Sequence, residues 1–339
     1  MPNSINRQIL LASRPQGDPG PDNFKLVEAP IPVAGPGEML LKTQWLSLDP
    51  YMRGRMSDAK SYAKFVEIGD PMVGATVSKV VASNIARFRA GDIVLAYSGW
   101  QDYAISNGEG VVVLDPSKAP VQTALGVLGM PGMTAYVGLR NIGLPKPGET
   151  LVVAAATGPV GSMVGQIGKI KGCRVVGIAG GPDKVKHLTE ELGFDIGLDH
   201  RSPDFAAELK AACPKGIDVY FENVAGKVWD AVLPLLNDFA RVPVCGLIAN
   251  YSLTGLPEGP DRSPMLMRNI LTKRLRLQGY IVWDFKEQTS DFLKEAGGWL
   301  KEGKIKYRED VVEGLENAPE AFMGMLKGKN FGKLLVKVE

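Results

Sequence analysis

Residues 151–172 read LVVAAATGPVGSMVGQIGKIKG. Leu151–Ala155 is a short apolar run, long enough for one buried strand. Ala156, Gly158 and Gly161 follow at the spacing of G-x-G-x-x-G, with alanine at the first position. Val160, Val164, Ile167 and Ile170 then recur three to four residues apart, the spacing of an amphipathic helix. Strand, small-residue turn and helix in that order make a dinucleotide-binding unit. Position 158 lets the backbone approach a pyrophosphate, and position 161 lets the helix pack close to the strand. The free amides at the helix start, with the positive end of its dipole, hold the anion. A lone glycine motif also occurs as a plain turn in α/β domains; the strand before it and the helix after it favour the functional reading.

Outward from this stretch the same logic repeats. Arg174–Ala179 is a second strand, ending in Gly180-Gly181-Pro182-Asp183-Lys184. An acid at that strand end would bind the ribose hydroxyls of NAD. Here glycines and Lys184 stand there instead, a small pocket with a cation that suits the extra phosphate of NADP. Lysines at helix starts are also ordinary surface residues. Asp183 argues the other way, but it lies late and is expected to cap a helix over 184–192. A third strand is predicted over 194–198, followed by Asp199-His200-Arg201. His200 and Arg201 either add to a phosphate pocket or are plain loop residues. Helices are expected over 203–213 and from Gly226 to about 236, with strands over Ile217–Asn223 and Ala240–Gly246. This alternation predicts a parallel, doubly wound sheet. Tyr251 follows the last of these strands at its C-terminal end, where ligands sit in such sheets. A proline-rich loop over 256–264, a helix over 265–271, a strand over Leu275–Trp283 at the sheet edge and a helix over 287–302 complete this half.

The N-terminal part reads differently. Met39–Thr43, Val77–Val81 and Ile93–Tyr97 are short strand candidates, separated by turn clusters such as Gly35-Pro36-Gly37 and Ala90-Gly91-Asp92. Such a pattern suggests a partly closed barrel. Within it, Leu48-Asp49-Pro50-Tyr51-Met52-Arg53-Gly54-Arg55 is either a ligand-facing turn or a capped turn with Tyr51 half-buried. Gly129-Met130-Pro131 opens a helix that carries Thr134. The tail holds a helix over 319–327 and a strand over 333–338, a β-type ending that suggests a return to the first domain. The expected division is 1–127 with 307–339 as a β-rich substrate domain, and 128–306 as the cofactor domain.

The chain has 339 residues, 45% hydrophobic and 22% charged, which suits a soluble protein of two domains. Its formal charge of +2 gives no reason to expect nucleic acid or a membrane surface as partner. Cys173, Cys213 and Cys245 are dispersed and odd in number, against a disulfide framework and consistent with a cytoplasmic protein. The first residues hold only a four-residue apolar run, too short for a signal peptide, and no run approaches the roughly 18 apolar residues of a membrane helix. With two histidines and no Cys-x-x-Cys cluster, a zinc site is not expected. No G-x-S-x-G elbow occurs, which disfavours a serine hydrolase.

The motifs together resemble a known family. Asp49–Arg53, Gly129–Tyr136, the 156–161 turn with Val164-Gly165-Gln166, Glu222-Asn223-Val224, Cys245-Gly246 and Ala321–Gly328 are similar to the zinc-independent medium-chain dehydrogenase/reductases. Within them the chain resembles the branch of the prostaglandin reductases, plant alkenal double-bond reductases and bacterial NADPH-dependent curcumin reductases. The resemblance runs nearly end to end. It implies a Rossmann cofactor domain beside a GroES-like β-rich domain, and a homodimer with cofactor domains paired edge to edge near 275–283. It implies NADPH bound by Ala156, Gly158, Val160, Gly161, Gly180, Lys184, Asn223, Cys245, Tyr251, Thr134 and Asn330. His200 stands where the prostaglandin reductases have a phosphate-contacting tyrosine, so that contact is expected to be weaker or titratable. Tyr51, Arg53, Met130 and Tyr251 are expected to line the substrate pocket. The implied reaction is hydride transfer to the β-carbon of an α,β-unsaturated ketone or aldehyde, a small-molecule enone, with Tyr251 helping to hold the enolate oxygen. The α-carbon proton comes from Tyr51, Tyr251 or water. An NADPH-dependent quinone oxidoreductase and a non-catalytic NADPH-binding protein are the alternatives.

Overall fold

The computed structural model describes residues 5–257 and 259–339. They divide into two compact units: one runs to Gly126 and resumes over Glu309–Glu339, and the other is Val127–Arg308.

The first unit opens with an antiparallel hairpin, β1 (Ile5–Leu11) and β2 (Phe24–Pro30). Its main sheet starts with β3 (Met39–Ser47) and continues through β4 (Thr76–Ser83), β5 (Ile93–Ala96), β6 (Tyr103–Ser106) and β7 (Val112–Val113). A single helical turn, α1 (Met52–Arg55), follows β3. The strands predicted over 39–43 and 77–81 fall within β3 and β4, and the one over 93–97 overlaps β5 up to Ala96. The β1–β2 hairpin has no such signal, because its polar residues find fixed partners. The Asn6 side chain donates to Tyr103 O at 3.0 Å and accepts from the Tyr103 amide at 2.8 Å. Arg7 Nε donates to Asp102 at 2.8 Å.

The second unit is built on α2 (Met130–Gly138), then β8 (Thr150–Ala154), α3 (Pro159–Ile170), β9 (Arg174–Ala179), α4 (Pro182–Glu190) and β10 (Ile196–Asp199). It continues with α5 (Phe205–Ala212), β11 (Ile217–Phe221), α6 (Gly226–Val232), β12 (Leu236–Val244), α7 (Ser263–Lys273), β13 (Arg276–Gly279) and α8 (Thr289–Lys301). The six strands form one parallel sheet in the order β10-β9-β8-β11-β12-β13. Counted from β8 as the first, that is 3-2-1-4-5-6, the Rossmann order, whose switch point lies between β8 and β11. Both faces of the sheet are covered. Val153 and Val175 belong to one apolar cluster with Val164 and Ile167 of α3; Val152 and Val176 belong to another with Leu209 of α5 and Val232. This is why these strands read as continuous apolar runs rather than alternating ones.

Two sequence expectations are corrected. The strand expected over Leu275–Trp283 is only β13. Tyr280 turns inward and donates its hydroxyl to Thr134 O at 2.8 Å. The Asp284 carboxylate accepts the Ile281 amide at 3.0 Å and opens a 3-10 turn over Val282–Gln288. The helix expected over 184–192 starts at Pro182, with Gly181 as its N-cap, so Asp183 lies inside the first turn and does not cap it.

The chain then returns to the first unit as β14 (Glu309–Glu313), α9 (Ala318–Leu326) and β15 (Lys333–Lys337). There β15 inserts between β14 and β3, parallel to the former and antiparallel to the latter. Phe322 of α9 meets Trp100 edge-on at 5.6 Å between ring centroids, and Trp100 stacks on Phe24 at 5.8 Å.

Candidate functional site

In the second unit the candidate residues gather at the C-terminal ends of the parallel strands. The turn after β8 is tight: Ala155 takes φ 50°, and the Gly158 amide donates to Ala155 O at 3.0 Å. Ala156 is fully buried, and its amide donates to Ile178 O at 2.9 Å. Gly158 is the N-cap of α3, and Pro159 occupies the first helical position without wasting an amide. The amides of Val160 and Gly161 belong to the helix's first turn, where no intrahelical acceptor exists. A Cβ at Gly161 would lie 2.3 Å from Ala155 O, so only glycine lets the helix start sit this close to the strand end.

The second cluster surrounds the end of β9. A Cβ at Gly180 would lie 3.0 Å from His200 Nε2 and 3.1 Å from Arg201 Nε. Arg201 is set in place by Asp199, whose carboxylate accepts the Arg201 amide at 2.9 Å. Desolvation pushes the His200 imidazole below its ordinary pKa, and Arg201 and Lys184 add to the effect while Asp199 opposes it. Lys184 in the first turn of α4, His200 and Arg201 thus form a cationic notch over a residue that has no side chain. The notch has the sign for a phosphate monoester.

The third cluster sits at the switch point. Asn223, just beyond β11, donates its side-chain amide to Ala154 O at the end of β8, 2.9 Å away. The Cys245 amide donates to Glu222 O at 2.9 Å, which places Cys245 beside Asn223 on the neighbouring strand end. Burial pushes the Cys245 thiol up to about 12. The Tyr251 hydroxyl accepts the Leu247 amide at 3.3 Å and hangs over Gly246, where a Cβ would be 3.0 Å from it. Met130 and Thr134 lie on α2, and the Thr134 hydroxyl donates to Met130 O at 2.7 Å.

Tyr51, Arg53 and Asn330 belong to the first unit. Tyr51 is half-buried just before α1; desolvation and then the Asp49 charge raise its phenol pKa far above the ordinary value. Arg53 is 5% exposed and donates from its guanidinium to Gly17 O at 2.7 Å and Pro15 O at 3.5 Å. The Asn330 side chain donates to Gly332 O at 2.8 Å.

Two family models cover much of the chain: the N-terminal domain of oxidoreductase over residues 7–114, and zinc-binding dehydrogenase over residues 159–297. The NADPH-dependent curcumin reductase of Escherichia coli is 60% identical, over 98% of this chain and 97% of that protein. The chain belongs to the medium-chain dehydrogenase/reductase family.

Other members of this dehydrogenase/reductase family agree. The NADP(+)-dependent 2-alkenal reductase of Nicotiana tabacum is 38% identical over 98% of this chain and 97% of its own. The solved structure of CurA from Vibrio vulnificus in complex with NADPH is 58% identical, with a TM-score of 0.96 over 98% of this chain and 99% of that one. Among the described residues no group of three or more His, Cys, Asp and Glu side chains could hold a metal ion. The three cysteines are unpaired by disulfides. Two contributors to this dehydrogenase/reductase site escaped the sequence reading. Tyr280 fixes α2 through Thr134 O, and Glu222, 3% exposed, accepts the Val224 and Ala225 amides at 2.7 and 2.9 Å to shape the turn after β11. A tyrosine inside an apparent edge strand was the available signal for the first; the second lay in the Glu222-Asn223-Val224 motif, whose glutamate was given no role.

Proposed function

We propose that the chain is an NADPH-dependent reductase of the carbon–carbon double bond of α,β-unsaturated ketones and aldehydes, curcumin-like or alkenal-like. The observation that carries this is the near full-length likeness, at 60% identity, to a protein named NADPH-dependent curcumin reductase. The residues fit the cofactor, because Gly161 lets the start of α3 sit against the end of β8 with its free amides at the strand ends, and Gly180 lets His200 and Arg201 close on the end of β9.

In this reading Val127–Arg308 is the cofactor domain and the remainder the substrate domain. The amides at the start of α3 hold the pyrophosphate, and Lys184, His200 and Arg201 hold the 2′-phosphate. Asn223, Cys245, Thr134 and Asn330 border the cofactor, with Met130, Arg53 and Tyr51 towards the substrate. When bound, the reduced nicotinamide supplies the hydride for the substrate's β-carbon. Tyr251 donates a hydrogen bond to the carbonyl oxygen as negative charge develops on it, which stabilises the transition state more than the ground state. The α-carbon proton comes from the Tyr51 phenol, the Tyr251 phenol or water. The protein acts as a homodimer in the cytoplasm.

The test mixes purified protein with NADPH or NADH and a panel of conjugated enones that includes a diarylheptanoid. Loss of reduced-cofactor absorbance with NADPH, and a saturated ketone as product, is the expected result. Tyr251→Phe should lower turnover by about 10²-fold, the worth of one oxyanion donor. Full turnover in that variant would remove Tyr251 from the mechanism, and consumption of NADPH with simple quinones alone would make the enzyme a quinone reductase.

A further inference from the structure

Lys333 and Asp49 are each 3% exposed. Lys333 Nζ donates to Asp49 Oδ1 at 2.7 Å and to Leu48 O at 2.8 Å. The other Asp49 oxygen accepts the Ser47 hydroxyl. The pair closes the end of a two-strand ladder. Leu335 stands opposite Ser47, and the Leu48 amide donates to Leu334 O at 3.2 Å, so Lys333 arrives beneath Asp49 where β3 stops. The next residues are Pro50 and Tyr51, and the Asp49 carbonyl accepts the Met52 amide at 3.1 Å to start α1. Glu309 faces Lys333 in register on β14, and one of its buried carboxylate oxygens has no hydrogen-bond partner. Burial pushes the Glu309 carboxyl upward, which weakens it as a rival for the ammonium.

A buried ion pair contributes little net stability, because desolvation offsets the attraction, and replacing both partners with apolar residues of similar size is often harmless to the fold. What such a pair does supply is geometry. Here one ammonium fixes a carbonyl and a carboxylate on consecutive residues, and those two residues set where the chain turns into Tyr51. We infer that Lys333 and Asp49 are positioning residues that hold the Tyr51 turn for substrate, an inference that rests on the enone-reductase reading.

The decisive variant is Lys333→Met combined with Asp49→Leu, made and compared in a Glu309→Gln background so that no charge is left stranded. Its melting temperature should stay near that of the parent, while kcat/KM for the enone falls about 10- to 100-fold, the cost of misplacing a contact by roughly 1 Å. Lys333→Met alone leaves Asp49 buried without its cation and should lower the melting temperature as well. A double variant with the parent's kcat/KM overturns the inference. If the double variant does not fold, Ser47→Ala releases one Asp49 oxygen without stranding a charge. It leaves that buried oxygen without its donor, so it should lower the melting temperature modestly and raise the enone KM; a parental KM there also overturns the inference. Tyr51→Phe separates the two claims. If it works like the parent while the double variant fails, the turn is positioned for substrate but the phenol is not the contact. An inactive Tyr51→Phe beside a fully active double variant sinks the positioning role alone.

Discussion

Gly180 shows how much one missing side chain decides. With no Cβ there, His200 and Arg201 approach the end of β9, and Lys184 completes the notch from α4. Lys184→Ala should weaken NADPH binding by about 1–2 kcal/mol, roughly tenfold, and leave NADH nearly untouched, as titration by cofactor fluorescence would read. The imidazole adds a pH dependence. Its pKa lies below the ordinary 6.5, so it is neutral at pH 7 and charges only as the pH falls. A phosphate binds the charged form better, so NADPH affinity should rise as pH drops through the range below 6.5. The cofactor's phosphate titrates near there as well and gains charge in the opposite direction. The comparison with His200→Gln isolates the protein's share; equal profiles in the two proteins would assign it none. At this scale the sequence told a good deal. The absent acid and the present lysine are visible in the letters, whereas the aim of Arg201 depends on a turn held by Asp199 and is not.

At the scale of elements, the junction of β8 and α3 concentrates the constraints. Gly161→Ala places a methyl 2.3 Å from Ala155 O, against backbone that cannot swing aside. The helix must back away. Overpacking of this kind costs about 1–3 kcal/mol, and urea unfolding should show it together with loss of NADPH binding. An alanine variant with parental stability and affinity would mean the cradle is looser than its geometry. The parallel strands were readable because burial on both faces makes them apolar throughout. The β1–β2 hairpin was not, because its Asn6 and Arg7 look solvent-facing until Tyr103 and Asp102 are in place. Nor was the early end of β13, which depends on Tyr280 finding a carbonyl distant in sequence.

At the scale of the whole molecule, the strand order 3-2-1-4-5-6 brings the glycine turn and Asn223 to one switch point, which regular alternation alone does not guarantee. The same order leaves β13 as the outermost strand of its sheet, with one edge unpaired among the described residues. A second copy paired there would extend the sheet, and sedimentation equilibrium at micromolar concentration should return twice the mass of 36.5 kDa; a single-chain mass would remove the dimer. The return of the tail has a different consequence, one of timing. Because β15 lies inside the first unit's sheet, between β14 and β3, that unit lacks an interior strand until Lys333–Lys337 are made. Domains fold as units while synthesis proceeds from the N-terminus, yet here the contiguous Val127–Arg308 is complete first. The N-terminal strands must wait on the ribosome with β3 uncovered over Trp45–Ser47, beyond the stretch that β6 pairs. A nascent chain stopped shortly before Glu309 would keep that edge open indefinitely, a natural handle for chaperones and proteases.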